Sequence, residues 1–121
     1  MVDNQVTIGV VGPCGSGKTT LVKELNKLGY MAKQISQEHS YVPDMWKKLS
    51  NPDVLIYLDV SYVNTVIRKN INWTEKEFKI QGARLKHAYN NADLVICTDK
   101  LSINGVLFRV LEFVGAYSNF R

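Results

Sequence analysis

The stretch GPCGSGKTT, residues 12–20, decides how the rest of the chain is read. Gly12, Gly17, Lys18 and Thr19 fill the pattern G-x-x-x-x-G-K-[S/T], with Pro13, Cys14, Gly15 and Ser16 between them and Thr20 after them. Each fixed residue has a physical reason. Glycines allow backbone angles and close approaches that a Cβ forbids, so successive N–H groups can converge on phosphate oxygens. A helix opening near Gly17 adds its positive end to the same anion. Lys18 offers an ammonium to the β and γ phosphates, and the Thr19 hydroxyl is a ligand for Mg²⁺. At average usage of about 7% Gly, 6% Lys and 12% Ser plus Thr, a chain this long meets the pattern by chance roughly once in a few hundred. Residues 12–20 are therefore expected to bind a nucleotide.

The flanks suit that reading. Gln5–Val11, QVTIGVV, is an apolar, β-branched run that predicts a buried strand ending at Gly12. Leu21, Leu25 and Leu28 share a helical face after the loop, and Gly29 stops it. MAKQIS (31–36) is a weaker strand, the segment to Pro43 is irregular, and Asp44–Leu49 is a short helix. DVLIYLDV (53–60) is the second buried-strand pattern. Ser61 opens a helix through Val63 and Ile67 to about Asn70. Thr74 and Glu77 have capping-box spacing, and the helix they start puts Phe78, Leu85 and Tyr89 on one stripe. ADLVICTD (92–99) predicts a third buried strand, with Cys97 in the core. Ser102 opens the last helix, whose Val106, Val110 and Val114 share a face, and Phe120-Arg121 is expected to fray.

Strands alternating with helices imply a parallel sheet of about four strands, right-handed crossovers and helices on both faces, a three-layer α/β/α arrangement. Residues 1–121 are expected to form a single domain, with the working edge at the carboxyl ends of the strands. The 45% apolar and 21% charged residues are ordinary globular composition. With no long apolar run and only Cys14 and Cys97, the chain is expected to be cytoplasmic, with no membrane partner. The net charge of +4 favours polyanionic ligands such as nucleotides, with nucleic acid disfavoured in the absence of a basic run.

The inner pattern G-x-x-G-x-G-K-T-T resembles the loop of the P-loop kinases, which include nucleoside, nucleotide and small-metabolite kinases. PDVLIYLDV (52–60), followed by a helix carrying Arg68 and Lys69, resembles the strand before the lid of thymidylate-kinase-like enzymes. ADLVICTD and its closing helix resemble that family's last strand and helix. The resemblance spans about residues 6–28 and 52–115 and implies a P-loop NTPase fold using ATP and Mg²⁺. It implies a lid arginine at Arg68. A guanine-specific N-K-x-D or T-K-x-D is missing, since Thr98-Asp99-Lys100 has the wrong order. The helical substrate-binding insert of nucleotide kinases and their acidic-pair strand end are missing too, so the acceptor site is small, differently built or completed by a second subunit.

Other site candidates follow from chemistry. Asp59, closing LIYLD, is either a metal partner or a turn cap, and Asp99 has a lesser claim to the same role. Arg68, Lys69, Lys76, Lys79 and Arg84 flank Asn70–Trp73, a candidate short lid. EHSYVPDMW (38–46) has no clean period. Within it Glu38 or Asp44 is the candidate base, Tyr41 and Trp46 are candidates to enclose a substrate, and His39 to assist. Alkylation of Cys14 should block nucleotide binding. The expected activity is transfer of the γ-phosphoryl group of Mg-ATP to a small hydroxyl- or phosphate-bearing acceptor, with Lys18, Glu38 or Asp44, and Arg68 carrying it. The alternative is a slow or non-catalytic nucleotide switch or ATPase acting on a protein partner. A homodimer is compatible with either.

Overall fold

β1, Thr7–Val11, lies at the middle of the molecule because its TIGVV side chains are almost wholly enclosed. The computed structural model describes residues 6–69 and 72–119, with the backbone alone for 118 and 119. Around β1 stand β2 (Met31–Gln34), β3 (Val54–Asp59) and β4 (Leu94–Cys97). The sheet order is β2-β1-β3-β4, and every pairing is parallel. Gly9 sits opposite Lys33 on one side and Leu55 on the other, and Tyr57 opposite Val95.

Strand side chains alternate between two faces. One face packs against α1 (Lys18–Lys27) and α5 (Ile103–Asn119), where Ile8, Val10, Ile56 and Leu58 meet Leu21, Leu25, Val106 and Val110. The other packs against α2 (Met45–Leu49) and α4 (Glu75–Asn91), where Leu55 and Tyr57 meet Trp46, Leu85 and Ala88. The three-layer α/β/α fold with four parallel strands is thus present. The carboxyl ends of all four strands, and the loops after them, collect on one edge.

Several local expectations shift. β4 is an edge strand and buries Ile96 but not Val95 or Cys97, so Cys97 is exposed rather than part of the core. α3 (Tyr62–Lys69) buries Thr65 and leaves Val63 and Ile67 exposed, at 64% and 69%. A small residue is needed there, because α3 passes so near the glycine loop that a Cβ on Gly15 would lie 3.2 Å from the Thr65 backbone. Leu28 is also exposed. In α4 the buried row is Gln81, Leu85 and Ala88, with Tyr89 outside it. The Thr74–Glu77 capping box is present in both directions. Of the candidate lid, Asn70 and Ile71 lie outside the described residues, as do Gln5 of the first run and Phe120-Arg121. Trp73 is tied to α3 by its indole N–H, which donates to Thr65 Oγ1 at 2.9 Å, and it rests on Tyr62 and Phe78.

Candidate active site

The loop between β1 and α1 is shaped by its own backbone. Ser16 N–H donates to the Pro13 carbonyl at 3.1 Å, closing a turn. Gly17 takes a left-handed φ of 100° and caps α1, a conformation that L side chains rarely adopt. At Gly12 a Cβ would collide with the carbonyl oxygen of Leu58 in β3, so the loop closes onto the sheet only with glycine there.

Lys18, the first residue of α1, points back under the loop. Its ammonium donates to the carbonyls of Gly12 (2.7 Å) and Pro13 (3.2 Å) and pairs with Glu38 Oε2 at 3.1 Å. Both side chains are almost fully enclosed, so the pair operates in a medium far less screening than water. Glu38 arrives from a 3₁₀ turn, Gln37–His39, just beyond β2. Its second oxygen, Oε1, is buried without a hydrogen-bond partner among the described residues, and so is Ser16 Oγ. Unsatisfied buried oxygens are costly and are seldom kept without reason.

Two other elements hold the loop from outside. Gln81 of α4 accepts from the Cys14 N–H at 3.0 Å and donates to Cys14 Sγ at 3.2 Å. Arg68 of α3 reaches the Gly15 carbonyl at 3.2 Å, and binds Thr98 of β4's trailing loop through its hydroxyl (2.9 Å) and carbonyl (2.6 Å). Arg68 therefore bridges the loop to the last strand rather than hanging over it. Thr19 donates its hydroxyl proton to Gln34 Oε1 at 2.7 Å. Around these groups lies a cavity of about 770 Å³, a size that suits a small-molecule ligand. Gly15 to Thr20, Glu38, His39, Arg68 and Thr98 are on its wall.

The other sequence candidates stand apart from that cavity. Asp44 precedes α2 and faces Lys48 at 3.7 Å across a partly exposed surface. Asp59 accepts from the neighbouring Val60 N–H at 3.0 Å, as a turn residue would. Trp46 is core, 6% exposed, with its indole N–H donating to His87 Nδ1 at 3.0 Å, and it is not on the cavity wall. Tyr41 is 86% exposed, stacked under Arg84 at 4.5 Å. Arg84 itself reaches the Glu38 carbonyl at 3.4 Å. Asp99 is held below the usual carboxylate range, first by the Ser61 N–H and then by the Asn64 amide, so it fastens α3 to the loop after β4.

Sequence reasoning missed Gln34, Gln81 and Thr98. Gln81 had a legible signal, a polar residue in register with Leu85 and Ala88 on the buried side of α4. Gln34 and Thr98 had none, since they matter only through strands far apart in sequence.

No known family model matches the chain, and no curated protein is significantly similar to it in sequence. A solved structure of shikimate kinase from Acinetobacter baumannii in complex with shikimate is similar in architecture. It aligns over 96% of each chain with a TM-score of 0.63 and 14% identity. The two chains share a fold. That fold is the three-layer α/β/α arrangement with parallel strands, and it puts the Gly12–Thr19 loop at the carboxyl end of β1, an inner strand. Among the described residues, no helix is long and apolar enough to cross a membrane.

Proposed function

We propose that this protein binds ATP on the Gly12–Thr20 loop and transfers its γ-phosphoryl group to a hydroxyl of a small molecule. The observation that carries this reading is the buried Lys18–Glu38 pair on the cavity wall, with one Glu38 oxygen unpartnered. A triphosphate on the loop would draw the Lys18 ammonium away from Glu38 toward the β and γ phosphates. Glu38, so released, is placed to accept the proton of an acceptor hydroxyl as it attacks. The bond from phosphorus to the bridging oxygen breaks as the new one forms, and ADP leaves. Arg68, already anchored on Thr98, adds a fixed positive charge beside the transferring group. The shared fold with a small-molecule kinase supports an acceptor of that size.

Mg²⁺ fits the site in part. Thr19 Oγ1 and Gln34 Oε1 are adjacent neutral oxygens, suited to a hard ion that brings phosphate and water ligands with it. When bound, the ion would neutralise charge between the β and γ phosphates. Asp44 and Asp59 take no part in this proposal, because neither borders the cavity.

A second reading has its own support. Gln81 and Arg68 tie α4 and α3 directly to the loop, so nucleotide binding could reorder both helices for a protein partner. The deciding experiment follows label from γ-labelled ATP in a pool of small hydroxylated metabolites, with Lys18→Ala and Glu38→Gln alongside. A labelled product other than phosphate, lost in both variants, is expected. ATP binding without any labelled product would move the conclusion to the switch.

A further inference from the structure

We propose that Cys14, Glu38 and His39 form a binding site for a zinc-class divalent ion on the wall of the cavity. Cys14 Sγ lies 3.9 Å from His39 Nε2, and Glu38 Oε2 lies 3.7 Å from the same nitrogen. All three ligand atoms fall within 4.8 Å of one another. A tetrahedral ion with bonds of ~2.3 Å to sulfur and ~2.0–2.1 Å to nitrogen and oxygen sets its ligand atoms roughly 3.3–3.6 Å apart. Contraction of a few tenths of an ångström thus closes the edges to His39, and its side chain, exposed on the surface, is free to make that movement.

The unpartnered oxygen points independently to a ligand. Glu38 is 4% exposed, and its Oε1 has no hydrogen-bond donor although Oε2 is taken by Lys18. A cation held by this carboxylate, whose Oε2 makes the 3.7 Å edge to His39, would also draw on Oε1 and supply what that atom lacks. The sulfur is also held in place, since Gln81 Nε2 donates to it at 3.2 Å from the second layer, the role such partners play around metal ligands. The donor set selects the ion. Thiolate, imidazole and one carboxylate suit Zn²⁺ or Co²⁺, whereas Mg²⁺ and Ca²⁺ require oxygens. Three protein ligands leave a fourth position, and because Cys14, Glu38 and His39 all border the cavity, it opens inward.

Cys14 belongs to the glycine loop and Glu38 to the proposed base, so an ion here withdraws both. If the kinase reading holds, which this consequence alone rests on, micromolar Zn²⁺ inhibits phosphoryl transfer while Mg²⁺ supports it. Ion binding itself needs neither nucleotide nor turnover.

Cobalt(II) chloride titrated into the full chain, followed by absorption, tests the site without nucleotide. The expected result is a thiolate-to-cobalt charge-transfer band with the visible bands of tetrahedral Co²⁺. These saturate at a single equivalent and are displaced by Zn²⁺ but not by excess Mg²⁺. Cys14→Ser should remove the charge-transfer band, His39→Ala should weaken binding about tenfold or more, and Cys97→Ser should titrate as the parent does. His39→Ala changes an exposed side chain, so the test survives even if Cys14→Ser folds poorly. Absence of the band, a band that follows Cys97, or affinity unchanged in His39→Ala would overturn the proposal.

Discussion

The Gly12–Thr19 loop and the Gln37–Trp46 segment meet at a buried ion pair, yet their shapes have different sources. The loop draws its shape from local backbone: a turn closed within four residues, a left-handed glycine and the first turn of α1. The segment is held by side chains instead, through bonds of Gln37 that close it on itself and through ties to α4. Gln37, fully buried, accepts from the Trp46 N–H at 2.8 Å and donates to the carbonyls of Val42 (2.9 Å) and Arg84 (3.3 Å). Trp46 is fastened to His87 of α4. The shape of the loop can therefore be built from a short motif, whereas the group that faces it is aimed by buried side chains and by α4.

The sharpest way to break that comparison is to cut the pair joining the two regions. Lys18→Ala should lower phosphoryl transfer at least about 10²–10³-fold. It should also cost about 3–5 kcal/mol in urea denaturation, because Glu38 is left as an uncompensated buried charge. Adding Glu38→Gln to Lys18→Ala should restore much of the stability and none of the activity. An equal loss in the double variant would mean that the pair is not what holds these regions together.

Within the segment, Trp46→Ala should cost about 3–5 kcal/mol, as expected for a large core side chain. Tyr41→Ala, five residues earlier, should change stability by less than about 0.5 kcal/mol. Comparable losses at the two aromatics would contradict their separate placement. Gln37→Ala comes next, at about 1–3 kcal/mol, because the Trp46 N–H and two carbonyls lose their partner. If it also slows transfer at saturating acceptor, Glu38 is being aimed from Gln37; if it alters stability alone, the segment is scaffold.

The smallest effect concerns acid. The Asp99 carboxyl sits below its usual range in the folded chain, so it stabilises the fold above the unfolded value of about 3.9 and loses that contribution as pH falls through the lower folded value. Asp99→Asn should be slightly less stable than the parent at pH 7, and the two should converge in denaturation scans carried toward pH 2. A gap that stays constant with pH would remove the ionised carboxylate from the account.

Much of this molecule was legible before its structure. Continuous β-branched runs read as buried parallel strands, the capping box marked the start of α4, and the glycine pattern located the loop. Each is a local rule acting over a few residues. The failures share one cause. Leu28 read as part of the inward face of α1 yet is exposed, and in α3 it is the close approach to Gly15 that decides which side turns in. Cys97 read as core because an edge strand and a central one have the same composition, and only strand order separates them. The 38–46 stretch mixed both kinds of residue. Sequence alone determined the elements, their order and the place of the glycine loop, since these follow from backbone preference and hydrophobic period. Tertiary structure alone decided that Glu38 and not Asp44 faces Lys18, that Trp46 belongs to the core, and that Gln34, Gln81, Arg68 and Thr98 converge on the loop. Convergence of that kind is a property of packing between segments remote in the chain, and no local pattern encodes it.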